Sequence, residues 1–138
     1  MKAQNSSGHQ LGIADLDDLL QSLQPSLTGT EFVFCSVSGS LSEYIRLEPL
    51  ATIREEEGLT LVLPLAIAER ENFKVGSVFR QITLTVHSSL EAVGLTAAVS
   101  RLLADHGIAA NILAGYYHDH IFVPRDKADV ALRLLQRI

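Results

Sequence analysis

The sequence predicts an α+β fold made of two similar halves. The second half has the predicted order strand, helix, strand, strand, helix, and the first half has helix, strand, strands, helix, strand. Each half is one element short of a complete βαββαβ sandwich and would leave a sheet edge open. We therefore expect antiparallel sheets with helices on one face, whose halves share or exchange strands or take one from a partner chain.

The elements of the first half follow from apolar spacing and turn residues. Leucines at helical spacing behind acidic residues predict a short amphipathic helix at Asp15–Leu23, which Pro25 and Gly29 end. The continuous run Glu31–Val37 predicts a buried strand in which Cys35 is a small core residue. The remaining predicted elements are a weak strand at Tyr44–Leu47, a hairpin of Ala51–Arg54 with Leu59–Leu63 around an acidic tip, and a helix at Pro64–Glu71.

The elements of the second half follow in the same way. The run Val78–Val86 alternates its side chains and is long enough to belong to two sheets or to one extended strand. A helix at Leu95–His106 has one apolar face and stops at Gly107. It is followed by a strand at Ile108–Ala114, a tight turn at Tyr116–His120, a returning strand at Ile121–Val123 and a terminal helix at Asp126–Gln136.

Composition limits the classes of function. The chain has 138 residues, of which 47% are apolar, and a net charge of −5, which suits a sizeable core and disfavours nucleic acid and anionic membranes as partners. The single Cys35 excludes an internal disulfide and a cysteine-based zinc site, and it fits a reducing cytoplasm. Residues 1–13 are polar and lack the apolar centre of a signal peptide, so we expect a flexible tail on a cytoplasmic protein.

The loop between Ile82–Val86 and the following helix is the predicted ligand site. A strand that breaks into a polar loop and then a helix leaves backbone N–H groups unpaired at the helix start, where the helix dipole favours a carboxylate. Gly94 would let a ligand approach the backbone closely, although the glycine can also serve strand–helix packing alone. Ser88 and Ser89 are also candidates to cap the helix rather than to bind a ligand, since Glu91 lies at capping-box spacing from Ser88.

Four stretches carry a resemblance to a known family: Phe32–Cys35, Arg54–Val62, Ile82–Ala98 and Asn111–Val123. The second half resembles an ACT domain, a small regulatory module that binds amino acids in metabolic enzymes. The chain from about Leu16 resembles free-standing tandem ACT proteins of bacteria. The resemblance implies two tandem ferredoxin-like units, a first ACT-like unit at 14–79 and a second ACT domain at 80–138. It also implies a ligand held at a dimer or tandem-domain interface.

The resemblance also implies which residues contact the ligand. The loop after the first strand and the start of the next helix correspond to Val93, Gly94 and Leu95, and a polar contact on the next strand corresponds to Asn111. Two departures are that Val93 replaces the usual proline and that the loop is longer. The expected ligand-binding residues are His87, Ser88, Val93, Gly94, Leu95, Asn111 and His118.

Two catalytic alternatives start from the histidines. His87 with His118, Asp119 and His120 has the residue types of a divalent-metal site, but residues that alternate along a strand or turn need not converge. A nucleophilic pair of His87 with Ser88 or Ser89 lacks a visible oxyanion-hole motif and an ordered acid. We therefore predict neither a metal nor a catalytic residue.

The leading functional hypothesis is a non-catalytic regulatory or sensor protein that binds a small molecule, an amino acid or a similar metabolite, without a cofactor. The alternatives are a structural or oligomerisation module that acts on a partner protein with no ligand, and a metal-dependent enzyme. We expect a homo-oligomer, a dimer or a tetramer, because half-sandwiches leave open sheet edges. Nucleic acid and membranes are not expected partners.

Overall fold

The computed structural model describes residues 16–85 and 90–138, and it confirms the predicted α+β fold. The tail at 1–13 and the end of the predicted strand at Val86 lie outside the described residues. In chain order the elements are α1 (Leu16–Gln21), β1 (Pro25–Val37), α2 (Leu41–Tyr44), a 3₁₀ turn (Ile45–Leu47), β2 (Ala51–Glu55), β3 (Gly58–Pro64), α3 (Leu65–Arg70), β4 (Phe79–Leu84), α4 (Leu95–Asp105), β5 (Asn111–Ala114), β6 (Asp119–Pro124), a second 3₁₀ turn (Arg125–Lys127) and α5 (Ala128–Gln136).

The chain divides into two compact units. The inserted unit is Gly29–Arg80, and the terminal unit combines the described residues up to Thr28 with Gln81–Ile138. The short helix α1 belongs to the terminal unit because its leucines pack against that unit's core, where Leu19 is fully buried. The boundaries 14–79 and 80–138 stay a prediction, since β1 and β4 each run across the division between the compact units.

In the inserted unit, β3 is the central strand. Its residues Leu59–Pro64 pair antiparallel with Phe32–Val37 of β1, and the hairpin with β2 turns at the predicted acidic tip. Buried side chains of the two strands, the 3₁₀ turn and α3 make one core: Val33, Cys35, Leu47, Leu59, Leu61, Leu63 and Ala68. The prediction of Cys35 as a core residue is confirmed, and burial raises the pKa of its thiol, which disfavours the reactive thiolate.

Two predictions for the first half were wrong. The segment at Tyr44–Leu47 is a helical turn rather than a strand, because the Ser40 N–H donates to Glu43 Oε2 at 3.2 Å and starts a helix just before it. The strand predicted from Glu31 begins at Pro25 instead. Proline is tolerated at the first residue of a strand, where no ladder N–H is required.

In the terminal unit, α4 and α5 cover one face of the strands. Helix α4 buries Leu95, Val99 and Leu103 against Ile82 and Leu84 of β4 and Ile121 and Val123 of β6. It ends as predicted at Gly107, whose φ of +72° places it in the left-handed region. The Gly107 N–H donates to Ala104 O and the Ile108 N–H to Leu103 O, each at 2.9 Å, which is a Schellman motif.

The strands are hydrogen bonded in the order β2-β3-β1-β4-β6-β5. The elements β1-α2-β2-β3-α3-β4 are therefore one βαββαβ set, and β4-α4-β5-β6-α5 completes a second set with the first residues of β1 beside β4. The predicted sharing of strands is confirmed. No helix among the described residues has both the length and the apolar character to cross a membrane.

We predict that Leu19→Ala destabilises the protein by about 2–5 kcal/mol, because it empties a fully buried site that α1 fills in the terminal core. Chemical unfolding measures the loss. Leu50→Ala removes the same atoms from a side chain that is 47% exposed, and it should cost much less. Equal losses for the two variants would contradict the packing of α1.

Candidate functional site

The start of α4 has the geometry of an anion-binding helix end. Gly94 precedes the helix with φ +103°, a conformation that L side chains rarely adopt, and the Ala98 N–H donates to Gly94 O at 2.9 Å. Helix geometry leaves the N–H groups of residues 95–97 without an intrahelical acceptor. Because α4 is eleven residues long, these groups lie at the positive end of a substantial dipole.

A small half-open cleft lies beside this helix start. The space of about 160 Å³ around it is partly open solvent, and the cleft itself has no room for a water molecule in this structure, so a ligand could enter only if its walls moved apart. Its lining residues are Leu84, Leu95, Thr96, Val99, Ile112, Asp119 and Ile121. The lining is therefore mostly aliphatic, with a hydroxyl and a carboxyl as its polar side chains.

The carboxyl of Asp119 is placed in this cleft by β6. Asp119 pairs with Ala114 of β5 and shares a strand face with Ile121 and Val123, which pack under the helices. This position was not predicted, because the sequence pattern favours a turn at Tyr116–His120 with Asp119 within it. The alternation of Asp119 with two apolar residues is the signal that could have revealed the earlier start of the strand.

Among the described residues that were predicted to bind the ligand, Leu95 lines the cleft and the others do not. The Leu95 side chain is buried in the core and lines the cleft, while the Val93 side chain is 82% exposed. Asn111 is exposed on β5, and strand alternation points it away from the face on which Ile112 lines the cleft. Gly94 contributes only backbone.

The other predicted contacts are a turn residue and two loop residues. His118 is half-buried in the turn before β6, where its carbonyl accepts a hydrogen bond from the Gly115 N–H at 2.9 Å. His87 and Ser88 lie outside the described residues. The predicted set of seven residues therefore stays a prediction.

Of the histidines that motivated the metal alternative, His120 does not converge with Asp119, and His87 lies outside the described residues. His120 follows Asp119 in β6 and points to the opposite face of the strand, where its Nδ1 lies 3.0 Å from Gln81 Nε2. Within 16–85 and 90–138, no three His, Cys, Asp or Glu side chains are grouped to hold a metal ion.

Leu16 of α1 covers Gly94. A Cβ at Gly94 would lie 2.9 Å from Leu16 Cδ2, closer than real Cβ contacts. The positive φ thus favours glycine at this position, and a Cβ would in addition force the Leu16 side chain to shift. This is the packing role that the sequence analysis weighed against a ligand role.

Comparison with known proteins identifies the family. Two ACT domain models match in tandem, over residues 11–80 and 77–137. The chain belongs to the ACT domain family. The resemblance inferred from its sequence is confirmed, and so is the ferredoxin-like class of its fold. ACT domains are regulatory ligand-binding modules.

Solved structures support the same fold. A protein of unknown function from Vibrio cholerae, described as a possible transport protein, is 56% identical with a TM-score of 0.82, covering 88% of this chain and 94% of its own. A protein from Agrobacterium tumefaciens is 13% identical with a TM-score of 0.70, covering 83% and 87%. The ligand-free regulatory subunit of aspartate kinase from Thermus thermophilus is 9% identical with a TM-score of 0.57, covering 84% and 97%. The comparison with curated proteins gives no match.

We predict that Gly94→Ala destabilises the ligand-free protein by about 1–3 kcal/mol, because it forces a side chain into positive φ and against Leu16. Thermal unfolding of this variant, of Leu16→Ala and of the double variant separates the two causes. If the Leu16 contact matters, the double variant loses less than the sum of the single losses. Unchanged stability in Gly94→Ala would contradict the packing role.

Proposed function

We propose that this ACT protein is a non-catalytic sensor that binds an amino acid or a similar small zwitterion at the start of α4. The observation that carries the proposal is that Asp119 lines the same cleft as Leu95 and Thr96 of the first helical turn. A helix N-terminus favours a carboxylate, and Asp119 offers an acceptor for an ammonium group. The two ends of a free amino acid match these two partners.

The aliphatic lining then favours the side chain or the carbon skeleton of the ligand. Leu84, Val99 and Ile112 provide apolar contacts beside the polar pair. His87, Ser88 and His118 remain further predicted contacts, whereas Asn111 would contact the ligand only if the ligand reached the opposite face of β5. Val93–Leu95 contributes backbone N–H groups.

Binding would favour one arrangement of the terminal unit and so shift an existing equilibrium. In this proposal the output passes through self-association or through a partner protein in the cytoplasm. Family membership supports the regulatory character, because ACT domains are regulatory modules.

A second candidate function is an interaction module whose site takes no ligand. The packing of Leu16 over Gly94 favours it, since that contact explains the glycine without a ligand. This candidate is supported if a partner protein co-purifies with the chain and remains bound when Gly94 is replaced by a bulky residue, provided that the variant folds.

We predict that one amino acid, or a small class of them, raises the thermal unfolding temperature at millimolar concentration and gives a calorimetric binding signal. Asp119→Asn keeps the shape of the side chain but removes its charge, and it should weaken binding by about tenfold or more. Asp105→Asn, at the far end of α4 where Asp105 pairs with Arg101 at 3.7 Å, is the matched control and should bind normally.

Failure of every amino acid to stabilise the protein or to give binding heat would refute the sensor. If binding occurs but Asp119→Asn and Asp105→Asn bind equally well, the site lies elsewhere. A folded Thr96→Val variant adds a second probe of the cleft, because it removes only the hydroxyl.

A further inference from the structure

Three polar side chains meet on the face of β4 and β6 that points away from α4 and α5. Ile82 and Leu84 of β4 pack in the core beneath the helices, so strand alternation points Gln81 and Thr83 to the other face. His120 of β6 meets them there. Its Nδ1 lies 3.0 Å from Gln81 Nε2 and 3.2 Å from Thr83 Oγ1.

The chemistry of Gln81 assigns the proton on the imidazole. An amide NH₂ group donates and does not accept, so His120 Nδ1 accepts from it and the ring is neutral with its proton on Nε2. The Thr83 hydroxyl can either donate or accept. Gln81 is only 7% exposed, so losing its acceptor would leave a donor with little access to water.

We propose that Gln81, Thr83 and His120 form a proton-operated latch between β4 and β6 of the terminal unit. The neutral imidazole holds the Gln81 amide and closes the latch. Protonation at Nδ1 turns the acceptor into a donor, so the hydrogen bond from the Gln81 NH₂ group is lost, and this loss opens the latch.

The surroundings of His120 lower its pKa on balance. Burial lowers its pKa, His118 lowers it further, and Asp119 opposes the shift. Its hydrogen-bond neighbours Gln81 and Thr83 of β4 and its pairing partner Leu113 on β5 are uncharged. The folded protein therefore takes up this proton less readily than the unfolded chain.

The sign of the pH dependence follows from linkage. Because the unfolded chain binds the proton at the ordinary pKa of 6.5, the latch makes its full contribution to the free energy of unfolding above that pH. Its contribution is lost as the pH falls through 6.5 and towards the lowered pKa of the folded state. If acid also loosens β6, which carries Asp119, ligand binding in the cleft would weaken; this consequence rests on the proposed function. The latch itself is tested without ligand.

The test compares thermal unfolding between about pH 7.5 and about pH 5, the range in which histidine titrates. On acidification the unfolding temperature of the wild type should fall by about 3 °C more than that of His120→Asn. In this variant the amide oxygen accepts a hydrogen bond near the position of Nδ1 but does not titrate. Gln81→Glu should also remove the acid loss, because its carboxylate stabilises the imidazolium. His106→Asn removes an exposed histidine at the end of α4 and should behave as the wild type.

An NMR titration of the wild type gives a second, independent measurement. A His120 pKa below the ordinary histidine value, which moves upward in Gln81→Glu, supports the latch. A pKa at or above the ordinary value overturns it, as does an equal acid loss in the wild type and in His120→Asn. If a variant does not fold, the titration of the wild type decides.

Discussion

The pairing of β4 with a neighbour on each side is the constraint on which the rest of the structure depends. β4 lies between β1 and β6, so its backbone groups have strand partners along both edges. A βαββ arrangement without this strand would expose an unpaired edge in each half. The two ACT-like sets of elements thus have β1 and β4 in common, so the residues of these strands serve both sets.

The two faces of β4 also separate two kinds of chemistry in the terminal unit. On the helix side, Ile82 and Leu84 join the core, and Leu84 continues into the cleft beside α4. On the other side, Gln81 and Thr83 meet His120. The period of two along a strand therefore places a narrow, mostly apolar cleft and a cluster with a titratable histidine on opposite faces of the same few residues.

Gly94 fits both a ligand-binding role and a packing role. Its positive φ lets the backbone enter α4, whose free N–H groups are the proposed anion site, and its missing Cβ makes room for Leu16. The two roles do not exclude each other, because anion binding would use the backbone N–H groups and packing against Leu16 uses the space beside the Gly94 Cα. Family membership favours a regulatory ligand, and the Leu16 contact explains the glycine in the ligand-free protein.

The sequence by itself determined the α+β class, the ACT resemblance, the acidic hairpin tip and the stop of α4 at Gly107, because these depend on local periodicity and turn chemistry. The tertiary structure decided the rest. It extended β1 back to Pro25, turned Tyr44–Leu47 into a helical turn and placed α1 in the terminal core. It also extended β6 back from Ile121 to Asp119, and side-chain alternation along the longer strand then points Asp119 towards the cleft and His120 away from it.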